Sequence, residues 1–136
     1  AVPGFEVGCA VLGTRDLFFG EVDEIELSGG FFDFTEKYTL KTSRIHMPAR
    51  IPAETASRIR ETAAALYRLF SCSGFARVDL FLTPEGEIVF NEINTIPGFT
   101  SHSRYPNMMK GAGLSFSQLV DRILEEALAE KKAGRA

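Results

Sequence analysis

Two runs of alternating residues, joined by a four-residue loop, constrain the fold of this chain more than any other feature. The runs are 75–82 and 87–94, and the loop between them is Thr83-Pro84-Glu85-Gly86. Such a loop between two alternating runs is typical of a β-hairpin. Pairing position 82 with position 87 places the odd residues of the first strand opposite the even residues of the second.

One face of this hairpin collects ionic and amide side chains. The register predicts that Arg77 lies opposite Glu92, with Asp79 diagonal to that pair and Asn94 on the same face. Four apolar residues are predicted to share and partly bury this face: Phe75, Phe81, Ile88 and Phe90. Carboxylates in such surroundings need a counter-charge or a cation. We therefore favour a magnesium site that also takes nucleotide phosphate over an exposed face with an Arg–Glu pair.

The segment that follows the second strand, residues 95–103, is rich in small polar residues. Gly98 exposes a backbone N–H with no side chain beside it, and such a donor suits the developing oxyanion of an acyl transfer. Taken by itself, however, this segment is better interpreted as an ordinary Pro-Gly turn without catalytic meaning.

The rest of the chain predicts an α+β fold. A first hairpin is expected from residues 5–12 and 17–27, a short strand at 45–51, and helices at about 53–71 and after Ser115. We expect a mostly antiparallel sheet with the helices packed on one face. Residues 28–43 lack a clear period but are rich in aromatic side chains, which favours a packed loop that covers a site.

Bulk composition limits the classes of function. A chain of 136 residues with a net charge of −3 and no basic block is expected to be one domain, without a nucleic-acid or membrane partner. Two distant cysteines, Cys9 and Cys72, are expected to be reduced in a cytoplasmic protein. The first residue is not Met, which leads us to expect a piece of a larger protein.

Four motifs together resemble the C-terminal half of the ATP-grasp domain of the D-alanine–D-alanine ligase family. They occur in family order and spacing, and they read GFEV at 4–7, FFDFTEKY at 31–38, GFARVD at 74–79 and NEINTIPGFTSHS at 91–103. The resemblance covers residues 1–136 almost completely and implies that the fold is the C-terminal part of an ATP-grasp domain. Other ATP-grasp enzymes share the acidic ending of the fourth motif but not its continuation.

The resemblance implies ATP and two magnesium ions, with manganese as an alternative ion. Asp79, Glu92 and Asn94 would hold the metal ions, with Glu92 shared between them, and Arg77 would stabilise the transferring phosphoryl group. Other positions would bind the substrates. The residues implied are Glu6 for the ATP ribose, Lys37 for the γ-phosphate, Gly98 for the tetrahedral intermediate and Ser103 for the carboxylate of the second amino acid. Residues 28–43 would form the lid over the acyl phosphate.

The resemblance also bears on the second substrate. Tyr38 follows the lysine as in family members that make dipeptides, which implies an amine nucleophile. Arg104 stands where common D-alanine ligases carry leucine and resembles the vancomycin-resistance type that adds D-serine. We expect D-alanine to be joined to D-serine, with D-alanine as the close second choice, for peptidoglycan precursors.

Two other classes stay open at this point. One is a non-catalytic, magnesium-dependent nucleotide-binding module, and the other is an ATP-grasp ligase for a different carboxylate. If the protein is a ligase, the complete protein is expected to be a homodimer. This chain by itself is then expected to be inactive.

Overall fold

The computed structural model describes residues 2–27 and 43–134. Within these ranges the elements are β1 (Phe5–Leu12), β2 (Phe18–Phe19), β3 (Asp23–Leu27), β4 (Ser43–His46), α1 (Ala53–Leu69), β5 (Phe75–Leu82), β6 (Ile88–Asn94), α2 (Arg104–Gly111) and α3 (Phe116–Lys132). The proposed lid at 28–43, with Lys37 and Tyr38, lies outside the described residues apart from position 43.

The strands form one antiparallel sheet in the order β4-β3-β1-β5-β6, and β2 pairs with the end of β1. The predicted α+β class with a mostly antiparallel sheet is therefore confirmed. The first hairpin is also present, but its second half is divided into β2 and β3. The strand predicted at 45–51 is wrong in extent, because it ends at His46. Pro48 follows closely and has no N–H to continue the ladder.

Helices cover both faces of the sheet, so the expectation that they pack on one face was wrong. Alternate residues of a strand point to opposite sides. On the first side, strand residues and α1 form one core: Val7, Cys9, Val11, Val78 and Leu80 from the sheet, and Ile59, Ala63 and Tyr67 from α1. On the second side, α2 and α3 form another core with the sheet: Ala10 and Leu12 come from β1, Tyr105, Met108 and Met109 from α2, Leu119 from α3, and Leu114 from the loop between these helices. Strand β1 is apolar at both parities beyond Val7, which is typical of a strand buried on both faces.

A β-bulge interrupts the pairing of β5 with β6. Leu82 pairs with Ile88 and Leu80 with Phe90, but Asp79 then pairs with Glu92, so Asn91 is an extra residue on β6. The predicted register was therefore wrong by one residue before the bulge and by two after it. Ile88 and Phe90 lie on the α1 side. The prediction that they share a face with Glu92 was therefore wrong.

Local sequence explains where the helices begin and end. Helix α3 begins at a capping box, in which the Ser115 hydroxyl accepts a hydrogen bond from the Gln118 N–H at 3.3 Å and the Gln118 side chain accepts one from the Ser115 N–H at 2.9 Å. At the end of α1 the Tyr67 hydroxyl donates to the Gly13 carbonyl at 2.8 Å. The capping box fixes the first turn of α3, and the Tyr67 hydrogen bond ties the end of α1 to the residue that follows β1. In the described part of the chain, no helix is long and apolar enough to cross a bilayer.

Candidate active site

The pairing of four strands places three acidic residues and one glycine in a single row across the sheet. Asp23 on β3 pairs with Gly8 on β1, Gly8 pairs with Asp79 on β5, and Asp79 pairs with Glu92 on β6. Directly paired residues point to the same face of a sheet. We call this set the acid row, and it lies on the face that α2 and α3 only partly cover.

Arg77 binds the central carboxylate of the acid row in a bidentate manner. Its Nε lies 2.8 Å from Oδ1 of Asp79, and its Nη2 lies 2.8 Å from Oδ2. The Asp79 side chain is 1% exposed, so this ion pair is almost fully removed from water. Asn94 pairs with Arg77 across the strands, which extends the same polar face by one more amide group.

Arg104 reaches the acid row from the first residue of α2. Its guanidinium donates to both carboxylate oxygens of Asp23 at 2.8 Å and to Oε1 of Glu6 at 3.1 Å. Its Nη2 also lies 3.5 Å from Oδ1 of Asp79. Burial opposes the charge of Arg104, but hydrogen bonds to Asp23 and the charges of Asp79 and Glu6 outweigh it and raise the pKa of the guanidinium.

Gly8 provides the room for this guanidinium. A Cβ atom on Gly8 would lie 2.4 Å from Nη2 of Arg104 and 2.6 Å from Oδ1 of Asp23, both far inside van der Waals contact. The backbone of β1 therefore forms the floor on which the Arg104 side chain lies.

The segment after β6 carries the remaining predicted site residues. A Cβ atom on Gly98 would lie 3.0 Å from the Ser103 hydroxyl, so these two residues are neighbours. The Ser103 hydroxyl accepts a hydrogen bond from the Thr100 N–H at 2.9 Å. Oδ1 of Asn94 accepts one from the Ile96 N–H at 3.1 Å, which fixes the turn leaving the strand.

The donor chemistry of this face fits a magnesium ion. Asp79 and Glu92 offer carboxylate oxygens side by side, and Asn94 offers an amide oxygen. Among the described residues, no group of three His, Cys, Asp or Glu side chains forms a metal site by itself. Magnesium would therefore rely on Asn94 and on substrate oxygens, as it commonly does.

The structure brings together most of the residues predicted from the sequence. Six of them meet at or beside the acid row: Glu6, Arg77, Asp79, Glu92, Asn94 and Arg104. Gly98 and Ser103 lie together on the segment that leads into Arg104. Lys37 and Tyr38 fall outside the described residues. Gly8 and Asp23 were missed, although an isolated glycine inside a strand is a known signal of close approach.

Comparisons with known proteins agree with this geometry. A family model of the D-ala D-ala ligase C-terminus matches residues 1–125. The chain belongs to the D-alanine–D-alanine ligase family. In the solved structure of VanG D-Ala:D-Ser ligase from Enterococcus faecalis, the matched region is 69% identical with a TM-score of 0.83, and the match covers 92% of this chain and 36% of that chain.

Curated relatives within the family differ in their described activities. Vancomycin C-type resistance protein VanC1 from Enterococcus gallinarum is 50% identical over 96% of this chain and 38% of its own length. A putative D-alanine–D-lactate ligase from Streptomyces coelicolor is 51% identical over 96% of this chain and 39% of its own length. The chain thus spans about two fifths of the length of these relatives.

Proposed function

We propose that the complete protein is an ATP-dependent ligase that joins D-alanine to a second D-amino acid for peptidoglycan precursors. The observation that carries this proposal is the acid row with Arg77, followed directly by the Gly98–Ser103 segment. A phosphate-binding face and an acyl-transfer segment are then adjacent, which is what a ligase with an acyl-phosphate intermediate needs. Vancomycin resistance is the proposed biological role, by similarity to VanC1.

In the first half of the reaction, a carboxylate oxygen of D-alanine attacks the γ-phosphorus of ATP, and the bond to the bridging oxygen breaks to release ADP. Asp79, Glu92 and Asn94 would hold magnesium, which would neutralise phosphate charge. Arg77 stabilises the transferring phosphoryl group, whose charge is spread over its oxygens. Glu6 binds the ribose and Lys37 the γ-phosphate.

In the second half, the amine of the second amino acid attacks the carbonyl carbon of the acyl phosphate, and inorganic phosphate leaves. The Gly98 N–H donates to the oxygen that becomes negative in the tetrahedral intermediate. The Ser103 hydroxyl orients the carboxylate of the attacking amino acid. Residues 28–43, which include Tyr38, close over the acyl phosphate and exclude water that would hydrolyse it.

The proposed second substrate is D-serine, with D-alanine as the next candidate. Two observations support this order: the 69% identity to the VanG D-Ala:D-Ser ligase, and arginine at position 104. The 51% identity to a putative D-alanine–D-lactate ligase shows that related chains are assigned different second substrates. Direct competition between substrates is therefore the deciding experiment.

The test uses the complete protein with ATP, magnesium, D-alanine and one of D-serine, D-alanine or D-lactate. Phosphate release and dipeptide mass are measured together. The expected result is the highest kcat/KM with D-serine, and no product without D-alanine. Equal rates with L-amino acids, or nucleotide binding without any product, would overturn the proposal.

This chain alone is proposed to be inactive, because it lacks about three fifths of the length found in its relatives. Incubation of the isolated chain with the same substrates should give no dipeptide, whereas the complete protein does.

The complete protein is further proposed to form a homodimer, which light scattering coupled to size exclusion would test.

A further inference from the structure

Arg104 occupies the point where three strands present carboxylates. Glu6 comes from β1, Asp23 from β3 and Asp79 from β5, and each carboxyl side chain is 2% exposed or less. The Arg104 side chain is itself only 11% exposed. A buried charge of this kind must keep nearly fixed partners, because the loss of one partner leaves the other charges uncompensated.

The guanidinium is also a physical bridge between two parts of the site. At one end it fixes Asp23 through two parallel hydrogen bonds of 2.8 Å. At the other end its Nη2 approaches Oδ1 of Asp79, the same oxygen that Arg77 Nε contacts at 2.8 Å. Since Ser103 directly precedes Arg104 in the chain, the bridge joins the Ser103 segment to the acid row.

This placement depends on Gly8. The space that a Cβ would fill is taken by Arg104 Nη2 and by Oδ1 of Asp23, and Oδ1 of Asp79 is only 3.2 Å from the same point. An alanine at position 8 would therefore press on all three members of the bridge at once.

We propose that Gly8, Asp23 and Arg104 form a positioning unit that sets Asp79 for metal and nucleotide binding. The inference rests on the proposed function, because it takes Asp79 as a magnesium ligand. In this unit Arg104 acts through Asp79 and through the Ser103 segment. Residues of this kind, which hold a metal ligand in place, commonly change metal affinity by about 10–100-fold when they are replaced.

The experiment measures the affinity of the complete protein for ADP by titration calorimetry, with and without magnesium. The variants are Arg104→Lys, Asp23→Asn and Gly8→Ala. Each is expected to weaken magnesium-dependent ADP binding about tenfold or more and magnesium-free binding by a smaller factor, since Arg104 also contacts Glu6. Arg58→Lys is the matched control, since Arg58 is exposed on α1 and its side chain donates to the Gly86 carbonyl at 3.1 Å. The affinity of this variant should equal that of the wild type.

A double variant separates positioning from simple structural support. If the three residues act as one unit, Arg104→Lys combined with Asp23→Asn weakens magnesium-dependent binding little more than either change alone. Arg104→Lys keeps a positive charge among the three carboxylates, so it is the variant expected to stay folded if Gly8→Ala does not. Melting temperatures are recorded so that only folded samples are compared.

Each result of these titrations either supports or overturns the positioning unit. Weaker magnesium-dependent binding in folded variants supports the positioning unit. Unchanged magnesium-dependent binding overturns it, including the case in which only the KM of the second amino acid rises. If the wild-type protein binds no magnesium–ADP and makes no dipeptide, the proposed function fails first, and the result is distinguishable from failure of this inference alone.

Discussion

The two faces of the central strands β1 and β5 are built in opposite ways. On the α1 side, residues such as Val7 and Val78 are apolar and fully buried. On the other side, Gly8 and Asp79 lie in the acid row, in which Asp23 and Asp79 are buried and Glu92 is half-buried. The same two strands thus carry a purely apolar core on one face and, on the other, an ionic site beside a second apolar cluster.

Substitutions on the two faces should therefore have different effects. Apolar burial is non-directional, so a lost methyl group on the α1 side costs stability without altering chemistry. On the ionic face each charge needs its hydrogen-bonded partner, because a buried charge that loses its partner destabilises the fold and no longer keeps its position. Changes on the ionic face should therefore act on activity, and changes on the α1 side on stability.

Asp79→Ala removes the centre of the ionic face. The rate of D-alanine-dependent phosphate release by the complete protein should fall more than about 1000-fold, because a bound metal supplies several kcal/mol of charge stabilisation. The control is Asp121→Ala, which changes an exposed residue on α3. A residual rate within tenfold of the wild type would remove Asp79 from the site.

The alkylation rate of Cys9 tests how well the core on the α1 side excludes water. Burial raises the pKa of the Cys9 thiol from 9.0 to about 12. Because only the thiolate reacts, alkylation by iodoacetamide at pH 8 should be about 1000-fold slower in the folded protein than in urea. Peptide mass spectrometry measures both rates, and half-buried Cys72 in the same sample is expected to react faster. Similar Cys9 rates in folded and unfolded protein would mean that water reaches this core.

Ile59→Ala makes a cavity under the sheet on the α1 side. It should lower the free energy of unfolding by about 2–5 kcal/mol, the usual cost of such a truncation. Urea unfolding of the complete protein gives this value, with Glu61→Ala on the exposed side of the same helix as the control. Affinity for magnesium–ADP should stay unchanged in folded Ile59→Ala; a loss of affinity would mean that the two faces are coupled.

Ser115→Ala acts on neither face and should have the smallest effect. It removes the hydroxyl that caps α3, which should lower stability by about 1 kcal/mol. Thermal unfolding measures the change, and Ser117→Ala two positions later serves as the comparison. An effect as large as that of Ile59→Ala would show that α3 is more tightly coupled to the core than its exposed second half suggests.

Sequence reasoning predicted the strands, the two long helices and the meeting of Arg77, Asp79, Glu92 and Asn94. Those predictions follow from periodicity, which is local and repeated over many residues. The register between β5 and β6 was missed for two reasons: the connection has five residues, since Leu82 pairs with Ile88, and the bulge at Asn91 shifts the pairing once more. Such a bulge depends on how the completed sheet twists and packs.

The members of the ionic face that come from distant segments were harder to find. Asp23 follows an irregular stretch, and nothing in its local pattern indicates that it pairs with Arg104, 81 residues away. Gly8 did offer a signal, since a glycine between buried strand residues predicts a close neighbour. The direction in which each helix packs was also non-local, because β1 is apolar on both sides.

The bulge at Asn91 decides which side of the sheet the later residues of β6 serve. Regular alternation from Phe90 would put Asn91 on the side of the acid row and turn Glu92 and Asn94 toward α1. The extra residue instead keeps Glu92 opposite Asp79, while Phe90, only two positions earlier, packs on the α1 side. Deleting Asn91 would therefore leave Glu92 and Asn94 on their present side, because the shortened strand alternates regularly from Phe90 onward.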